Sequence, residues 1–373
     1  MPLEEKSEVN YDHLSFDLAG ARLILLPMPD VEEKVRSELI GIRDVLVRTF
    51  PDSAVVLGGS LLVGEGQISV ASGHPIMLSD CDLFVVSRNM RLMWPAAARR
   101  LLASTLGVMP LSFHLDINLI WEPLARKKMT TFGGAVIGGS LDISEVISSV
   151  PAPAAGSTLF KAYRYLTAAP LHPQLFEYLC AKSLMLGAKA LLLQEMRGCP
   201  HREWMQLSSL LFIQNAIKTA QTRIGADAVY IIGHACDVIL GAASGGLSEE
   251  KYSLYTAILG RIADLMPIPS SRKMALKHSF WLLREKRWGI PKVSIGVATL
   301  LGLKTLAESW HTDRINYDGI HKAELLARRL CHMRRIEIDA DPIAAYAGIR
   351  DLFANMASFN PHTISYGPRG ISI

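Results

Sequence analysis

Cysteine is scarce in this 373-residue chain, and no two cysteines have the C-x-x-C spacing. A disulfide framework needs an even, patterned set of cysteines, whereas an odd and dispersed set is typical of a reducing compartment. The sequence therefore predicts a chain without structural disulfides. The five cysteines are Cys81, Cys180, Cys199, Cys236 and Cys331.

Long hydrophobic runs are also missing. The longest candidate, residues 228–247, carries His234 and Asp237, whereas a membrane-spanning helix needs about 18 or more consecutive apolar residues. The N-terminal sequence MPLEEKSEVNYDHL is polar and acidic, which is not the pattern of a signal peptide. These two features predict a cytoplasmic protein with no transmembrane segment.

Neither sign of charge dominates, since 39 basic and 35 acidic residues leave a net charge of +4. Such a balance excludes a binding surface for nucleic acid or membrane spread over the whole chain. Basic residues cluster only locally, between Arg272 and Lys292, where Trp281 and Trp288 are interleaved. This stretch either binds a polyanion or forms the solvated face of an amphipathic helix, and the helix is the favoured interpretation.

A change of character divides the chain near Val150–Gly156, where the sequence VPAPAAG is typical of a linker. Before it, helix patterns at 30–50 and 95–106 alternate with strand patterns at 53–57, 78–86 and 113–121. After it, helical periodicity recurs up to residue 356, and the polar tail from Ser358 is expected to be loosely ordered. The sequence thus predicts an α+β fold with a sheet-containing domain at 1–150 and a helical domain at 157–373.

Three carboxylates alternate with apolar residues in two of the predicted strands. Asp80 and Asp82, in the sequence SDCDLFVV, project to the same face of a strand because side chains alternate between faces. Asp116, in the sequence HLDIN, alternates with apolar neighbours in the same way. If the two strands pair, Asp116 lies within roughly 4.5–5.5 Å of the other carboxylates.

Carboxylates so close together repel each other unless a cation lies between them. Three oxygen ligands at this spacing suit Mg²⁺, which takes its other ligands from water and from substrate phosphates. Mn²⁺ is the alternative ion. The predicted metal ligands are therefore Asp80, Asp82 and Asp116.

A glycine turn, Gly58-Gly59-Ser60, follows the first predicted strand. Two glycines allow the backbone to approach a phosphate closely, and successive N–H groups can form an anion-binding concavity. The Ser60 hydroxyl adds a donor. A phosphate-holding turn together with three carboxylates predicts chemistry on a nucleoside triphosphate.

The order strand, GGS, SDCDLFVV and then HLDIN resembles the polymerase-β-like nucleotidyltransferase superfamily, and in particular its small bacterial members. The resemblance covers residues 53–120, with a weaker likeness at FGGAVIGG, residues 132–139. It implies a twisted mixed sheet with flanking helices, followed by a helical domain that closes over the nucleotide. The 19 residues between Ser60 and Asp80 are more than is usual for this superfamily, and they are expected to form a hairpin or loop.

The resemblance also implies roles for individual residues. Gly59 and Ser60 hold the triphosphate, Asp80 and Asp82 hold the metal ions, and Asp116 completes the site as the candidate base. Residues 176–193 resemble the first long helix of the superfamily's second domain, where a lysine often meets the triphosphate. Lys182 is the candidate there, with Lys161 and Arg164 as secondary candidates.

The activity that this resemblance implies is transfer of a nucleoside monophosphate from a triphosphate, with ATP favoured, to an acceptor hydroxyl. The acceptor stays open between a small molecule, a second nucleotide, a protein side chain and an RNA end. An alternative is a catalytically silent module that keeps the nucleotide pocket for binding or for a protein partner. A second D-x-D sequence, Asp339-Ala340-Asp341, has no upstream glycine turn and is interpreted as a solvated surface segment.

Overall fold

The structure is a computed structural model, and it describes residues 16–25, 28–62, 64, 66–69, 76–89, 95–125, 134–148, 155–195, 209–239, 249–266, 290–310, 315–331, 341–358 and 363–366. The chain divides into two compact units. The first, the sheet unit, comprises Met1–Pro153, Arg197–Leu211 and Asn360–Ser372. The second, the helical unit, comprises Ala154–Met196 and Phe212–Phe359, together with the terminal Ile373. The first boundary lies within the predicted linker, Val150–Gly156.

The described part of the sheet unit has an α+β structure, as the sequence predicts. Its elements in chain order are α1 (Pro29–Thr49), β1 (Ser53–Gly58), α2 (Gly59–Leu62), β2 (Ile68–Ser69), β3 (Ile76–Met77), β4 (Cys81–Ser87), α3 (Pro95–Ala103), β5 (Leu115–Trp121), β6 (Gly134–Gly139), α4 (Ser144–Ser148) and, after the helical unit, β7 (Thr363–Tyr366). The main sheet has the order β6-β1-β4-β5-β7. It is mixed, because β4 and β5 are parallel whereas the other neighbouring pairs are antiparallel.

Both faces of this sheet are covered by apolar side chains. Val55, Leu83 and Ile117 belong to the larger core, which includes the buried side of α1. Val56 and Phe84, which alternate with them, belong to a smaller core on the opposite face. The alternation of side chains along β1 and β4 therefore supplies both layers. Asp82 shares its face with Phe84, so the predicted site lies on the side of the smaller core.

The start of α1 differs from the sequence-based expectation. The pattern predicts a helix from residue 30, whereas α1 begins at Pro29 and its capping residue is Met28, without a side-chain cap. Proline is well suited to that position, because its missing N–H has no partner in the first turn and its φ angle is already helical.

The tail from Ser358 also departs from the expectation of loose order. Thr363–Tyr366 forms β7, which pairs antiparallel with β5 at one edge of the sheet. The helical domain predicted over 157–373 therefore stops short of the end of the chain, since Asn360–Ser372 belongs to the sheet unit. There β7 supplies backbone hydrogen-bond partners to the edge of β5 from a distant part of the chain.

The described residues of the helical unit are arranged in helices, as the periodicity predicts. These helices are α5 (Ala155–Ala168), α6 (Phe176–Glu195), α7 (Ser209–Ile224), α8 (Ala226–Ile239), α9 (Glu249–Leu265), α10 (Ile290–Ser309), α11 (Tyr317–Cys331) and α12 (Pro342–Ser358). No helix within the described ranges is long and apolar enough to cross a membrane. Most of the basic stretch Arg272–Lys292 lies outside the described residues.

Candidate active site at the ends of three strands

Pairing of three strands brings two of the three predicted carboxylates, Asp82 and Asp116, next to the glycine turn. Asp82 on β4 is directly opposite Asp116 on parallel β5. On its other side, Asp82 is opposite Gly58, the last residue of antiparallel β1. The sequence analysis made a common site conditional on the pairing of the two strands that carry Asp82 and Asp116, and β4 and β5 are paired in this way. Since neighbouring strands lie about 4.8 Å apart, Gly58, Asp82 and Asp116 form one row across the sheet.

The glycine turn lies directly against the carboxylate of Asp82. Gly59 has a φ of 71°, which is in the left-handed region that favours glycine. A Cβ atom added there would lie 2.8 Å from Asp82 Oδ2. Ser60 follows in the short helical turn α2 and is partly exposed. The absence of a side chain at Gly59 thus lets the turn and the carboxylate approach each other.

Replacement of Gly59 by alanine is expected to damage both the backbone and the site. The left-handed conformation costs about 1–3 kcal/mol for a non-glycine residue, and the new methyl group must displace the Asp82 carboxylate. Urea unfolding followed by circular dichroism should show this loss in the free energy of unfolding. Gly107→Ala is the matched control, because a Cβ atom there meets nothing within 4 Å. Equal stability of the two variants would contradict the conformation assigned to Gly59.

Asp80 is placed by the base of a small hairpin that precedes it. Ile68–Ser69 pairs antiparallel with Ile76–Met77, so the long insertion after Ser60 contains the expected hairpin. At its base, the Gln67 backbone N–H donates to the Oγ atom of buried Ser79, at 3.0 Å. Asp80 itself is exposed. The hairpin therefore fixes the backbone immediately before the first carboxylate, while the side chain stays open to solvent.

His114 is the site residue that sequence reasoning missed. Its Nε2 atom lies 3.4 Å from Asp116 Oδ1, and its backbone carbonyl accepts a hydrogen bond from the Cys81 N–H. The interaction with Asp116 raises the pKa of His114, burial lowers it, and Asp80 and Asp82 add further upward contributions. The signal was present in the sequence, because His114-x-Asp116 has the same two-residue spacing as Asp80-x-Asp82.

The charges of all three aspartates affect the same neighbouring residue, Cys81. Cys81, which is completely buried in the larger core, has a pKa raised first by burial and then by Asp82, Asp80 and Asp116. All three carboxylates therefore lie close enough to this residue to oppose its ionisation. Cys81 faces away from the site, as predicted, and its raised pKa keeps it an unreactive thiol.

These residues fit a metal ion in the type of their donor atoms, which are carboxylate oxygens. Asp82 and Asp116 are half-buried oxygen donors in adjacent register positions, and the exposed Asp80 precedes Asp82 by two residues. In the described part of the chain, however, no group of three His, Cys, Asp or Glu side chains is arranged so that it could hold a metal ion. The assignment to Mg²⁺ therefore depends on the donor types and the strand register, and it stays a prediction.

Lys182 lies in the helical unit, on α6, between two tyrosines. Its Nζ atom is 2.9 Å from the Tyr178 hydroxyl and 4.6 Å from the centre of the Tyr165 ring. The ammonium group is thus held by a hydrogen bond and a cation–π interaction. Its contact with a triphosphate stays a prediction.

The second D-x-D sequence has a structural role in its described part. The side chain of Asp341 accepts hydrogen bonds from the N–H groups of Ile343 and Ala344. This is the arrangement of a helix cap, and it begins α12. Asp339 lies outside the described residues.

Comparisons of the chain with known proteins gave no match. No family model matches the chain, and neither the curated proteins nor the solved structures contain a significant match.

Proposed function

We propose that the protein is a metal-dependent nucleotidyltransferase, which transfers a nucleoside monophosphate from a triphosphate to an acceptor hydroxyl. The observation that supports this most directly is the row formed by Gly58, Asp82 and Asp116 across three neighbouring strands. It places a turn suited to phosphate beside two carboxylates. Neither feature alone indicates this chemistry, because a lone D-x-D sequence or a lone glycine turn is common.

In this proposal the glycine turn binds the triphosphate. The backbone N–H groups after Gly59 and the Ser60 hydroxyl donate hydrogen bonds to phosphate oxygens. Gly59 must lack a side chain, since the space for its Cβ atom is next to Asp82 Oδ2. The phosphates are therefore held within reach of the carboxylate row.

Asp80, Asp82 and Asp116 would hold divalent metal ions, with Mg²⁺ expected and Mn²⁺ as the alternative. Such ions, when bound, neutralise the charge that develops on the attacking and leaving oxygens. The three carboxylates also orient the triphosphate, because their negative charge excludes phosphate from any position without a cation. Their repulsion is strongest without the ion, so metal and nucleotide are expected to bind together.

The chemical step is an in-line displacement at the α-phosphorus. The acceptor oxygen forms the new bond to this phosphorus, and the bond to the bridging oxygen of the β-phosphate breaks, so that pyrophosphate leaves. The acceptor hydroxyl loses its proton to Asp116, the candidate general base. The acceptor stays open between a small molecule, a second nucleotide, a protein side chain and an RNA end.

His114 is expected to position Asp116 in this step. Removal of its ring in His114→Ala leaves Asp116 Oδ1 without the contact at 3.4 Å, so the base samples more orientations. Turnover should fall about tenfold, the equivalent of one hydrogen bond of about 1.4 kcal/mol. The affinity for the triphosphate should change by less than about threefold.

Parallel measurements of pyrophosphate release and nucleotide binding test this role. His114→Gln, which keeps a hydrogen-bond donor, should recover part of the turnover, and His234→Ala in the helical unit serves as the control. Unchanged turnover in His114→Ala would remove His114 from the site. Equal losses of binding and turnover would instead show that the ring supports only the local structure.

The function itself is tested by transfer of label. The protein is incubated with each nucleoside triphosphate labelled at the α-phosphate, with Mg²⁺ or Mn²⁺ and a cell extract, and the labelled product is identified. Label should move to one class of acceptor, with release of pyrophosphate. Binding of Mg²⁺–triphosphate without any transfer would favour the alternative, a silent nucleotide-binding module. Absence of binding would contradict both.

A further inference from the structure

The row of residues across the sheet continues beyond Asp116 to the last described strand, β7. Antiparallel pairing sets each residue of β7 directly opposite one of β5. The opposite pairs are Leu115 with Tyr366, Asp116 with Ser365, Ile117 with Ile364, and Asn118 with Thr363. On its other side, β5 pairs with parallel β4. The strand that carries the candidate base is therefore supported on one side by a segment from the C-terminal part of the chain.

The direction of the backbone groups along β5 follows from one hydrogen bond. The Cys81 N–H donates to the His114 carbonyl at 2.7 Å, so this carbonyl points towards β4. The N–H and C=O of one strand residue point to the same side, and the side alternates from residue to residue. The backbone of Asp116 therefore also points towards β4, whereas the backbones of Leu115 and Ile117 point towards β7.

Two hydrogen-bonded pairs between β5 and β7 consequently flank Asp116. The alternation assigns backbone hydrogen bonds to the pair of Leu115 with Tyr366 and to the pair of Ile117 with Ile364. Asp116 lies in the intervening pair. Strand β7 thus holds the residues immediately before and after the candidate base, while β4 holds the backbone of the base itself.

The opposite edge of the sheet supports the glycine turn in the same way. Strand β6 pairs antiparallel with β1, and Ala135 is opposite Leu57, the residue before Gly58. The Val136 carbonyl accepts the Phe16 N–H at 3.3 Å. The backbone of Val136 therefore points away from β1, and the backbone of Ala135 points towards it. The two edge strands thus support different halves of the candidate site.

We propose that β7 is a positioning element for Asp116, an inference that rests on the proposed function. A general base must lie within hydrogen-bond reach of the proton that it removes, and a displacement of about 1 Å can cost 10²-fold in rate. Without β7, the segment around Asp116 is held only from the side of β4. The glycine turn lies on β1 and does not depend on this edge. Loss of the β7 pairing should therefore lower turnover and leave nucleotide binding nearly unchanged.

A proline substitution in the full chain tests this role, because proline lacks the backbone N–H. Ile364→Pro removes a donor that points towards β5. Turnover is measured at saturating Mg²⁺–ATP, as transfer of α-phosphate label to the acceptor in cell extract, after subtraction of an extract blank. It should fall by about tenfold to 10²-fold. The affinity for Mg²⁺–ATP should stay within about threefold of the parent.

Thr363→Pro is the matched control on the same strand. Thr363 is the first residue of β7, a position where proline is tolerated, and the alternation directs its N–H away from β5. Turnover in this variant should stay within about threefold of the parent. If Thr363→Pro lowered turnover as much as Ile364→Pro, the hydrogen bonds to β5 would not be the cause and the proposal would be wrong.

Ala135→Pro on β6 should give the reverse pattern. It removes an N–H that points towards β1, so the affinity for Mg²⁺–ATP should fall about tenfold or more, while turnover at saturating ATP stays within about threefold of the parent. If Ala135→Pro and Ile364→Pro both lowered affinity and turnover to the same extent, the edge strands would support only the general structure. That result would overturn the proposal.

Amide hydrogen exchange, resolved by residue, shows whether the pairing itself has changed. In Ile364→Pro the amides of Leu115 and Ile117 should exchange faster, whereas the amide of Asp116, which points towards β4, should keep its protection. Unchanged exchange at Leu115 and Ile117, or faster exchange with parental turnover, would overturn the proposal and leave the proposed function intact. Absence of label transfer by the parent would contradict the proposed function, and this inference with it.

A second variant covers the case in which Ile364→Pro does not fold by circular dichroism. Tyr366→Pro removes the other donor to β5, at the end of the strand. It should show the same split, with turnover lowered about tenfold and affinity for Mg²⁺–ATP within about threefold of the parent. Parental turnover in a folded Tyr366→Pro would then count against β7 as a positioning element.

Discussion

Asp116→Asn is expected to lower turnover by about 10²–10⁴, the range typical of losing a general base. The substitution keeps the shape of the side chain, so β5 and its parallel pairing with β4 should be preserved. It removes the basicity and one negative charge beside Asp82. The affinity for Mg²⁺–triphosphate should stay within about tenfold of the parent, or about 1.4 kcal/mol.

Measurement of pyrophosphate release beside equilibrium nucleotide binding separates these two effects. Glu122→Gln is the control, since Glu122 follows the same strand at its other end and pairs with Arg88 at 2.8 Å. It should keep parental turnover. Near-parental turnover in Asp116→Asn would take Asp116 out of the active site and leave the glycine turn and the other two aspartates as the remaining candidates.

The double substitution Asp80→Asn with Asp82→Asn should abolish the stabilisation that Mg²⁺ and a triphosphate give together. A ligand that binds only the folded state adds about 2.7 kcal/mol at 100 times its dissociation constant, and this gain should disappear. Without ligand, the double variant should be at least as stable as the parent, because two neighbouring carboxylates no longer repel each other.

Thermal unfolding with and without Mg²⁺–triphosphate measures both quantities. Asp52→Asn, which removes an exposed carboxylate in the turn before β1, should respond to the ligand as the parent does. If the double variant also responds like the parent, Asp80 and Asp82 are not metal ligands. If the double variant loses both the stabilisation by Mg²⁺–triphosphate and the helical circular dichroism signal, it has not folded, and the same measurement is then made on Asp80→Asn and Asp82→Asn separately.

Much of the site was predictable because strand periodicity is local information. The alternation in SDCDLFVV predicted that Asp82 and Cys81 occupy opposite faces and that Cys81 belongs to the core, where it is fully buried. Asp80 lies before β4, which begins at Cys81, so its sharing a face with Asp82 stays a prediction. A hairpin or loop after Ser60 was also expected from the length of the insertion, and the pairing of Ile68–Ser69 with Ile76–Met77 shows the hairpin. Helical periodicity after the linker predicted the described helices of the second unit, since an amphipathic pattern of period 3.6 needs no knowledge of its partner.

The pairing of strands was not determined locally. Periodicity assigns Asp116 to a face, but only the parallel register of β4 and β5 places it opposite Asp82. The contact of His114 with Asp116 is different, because residues two apart on one extended segment share a face whatever strand lies beside it. Strand β7 shows most clearly what local sequence patterns do not determine. Its four residues form a strand because the edge of β5 offers partners to the backbone, and a polar, turn-rich tail carries no local sign of this.

Burial of charge was decided by tertiary structure alone. Arg350 occurs in an ordinary helical sequence, where a charged residue is normally solvated, and the packing of α12 on α5 buries it. The sequence by itself determined the residue types of the candidate site, the faces they occupy and the α+β class. Tertiary structure decided which of them meet, because contacts between distant segments depend on register and packing, and local patterns do not encode these.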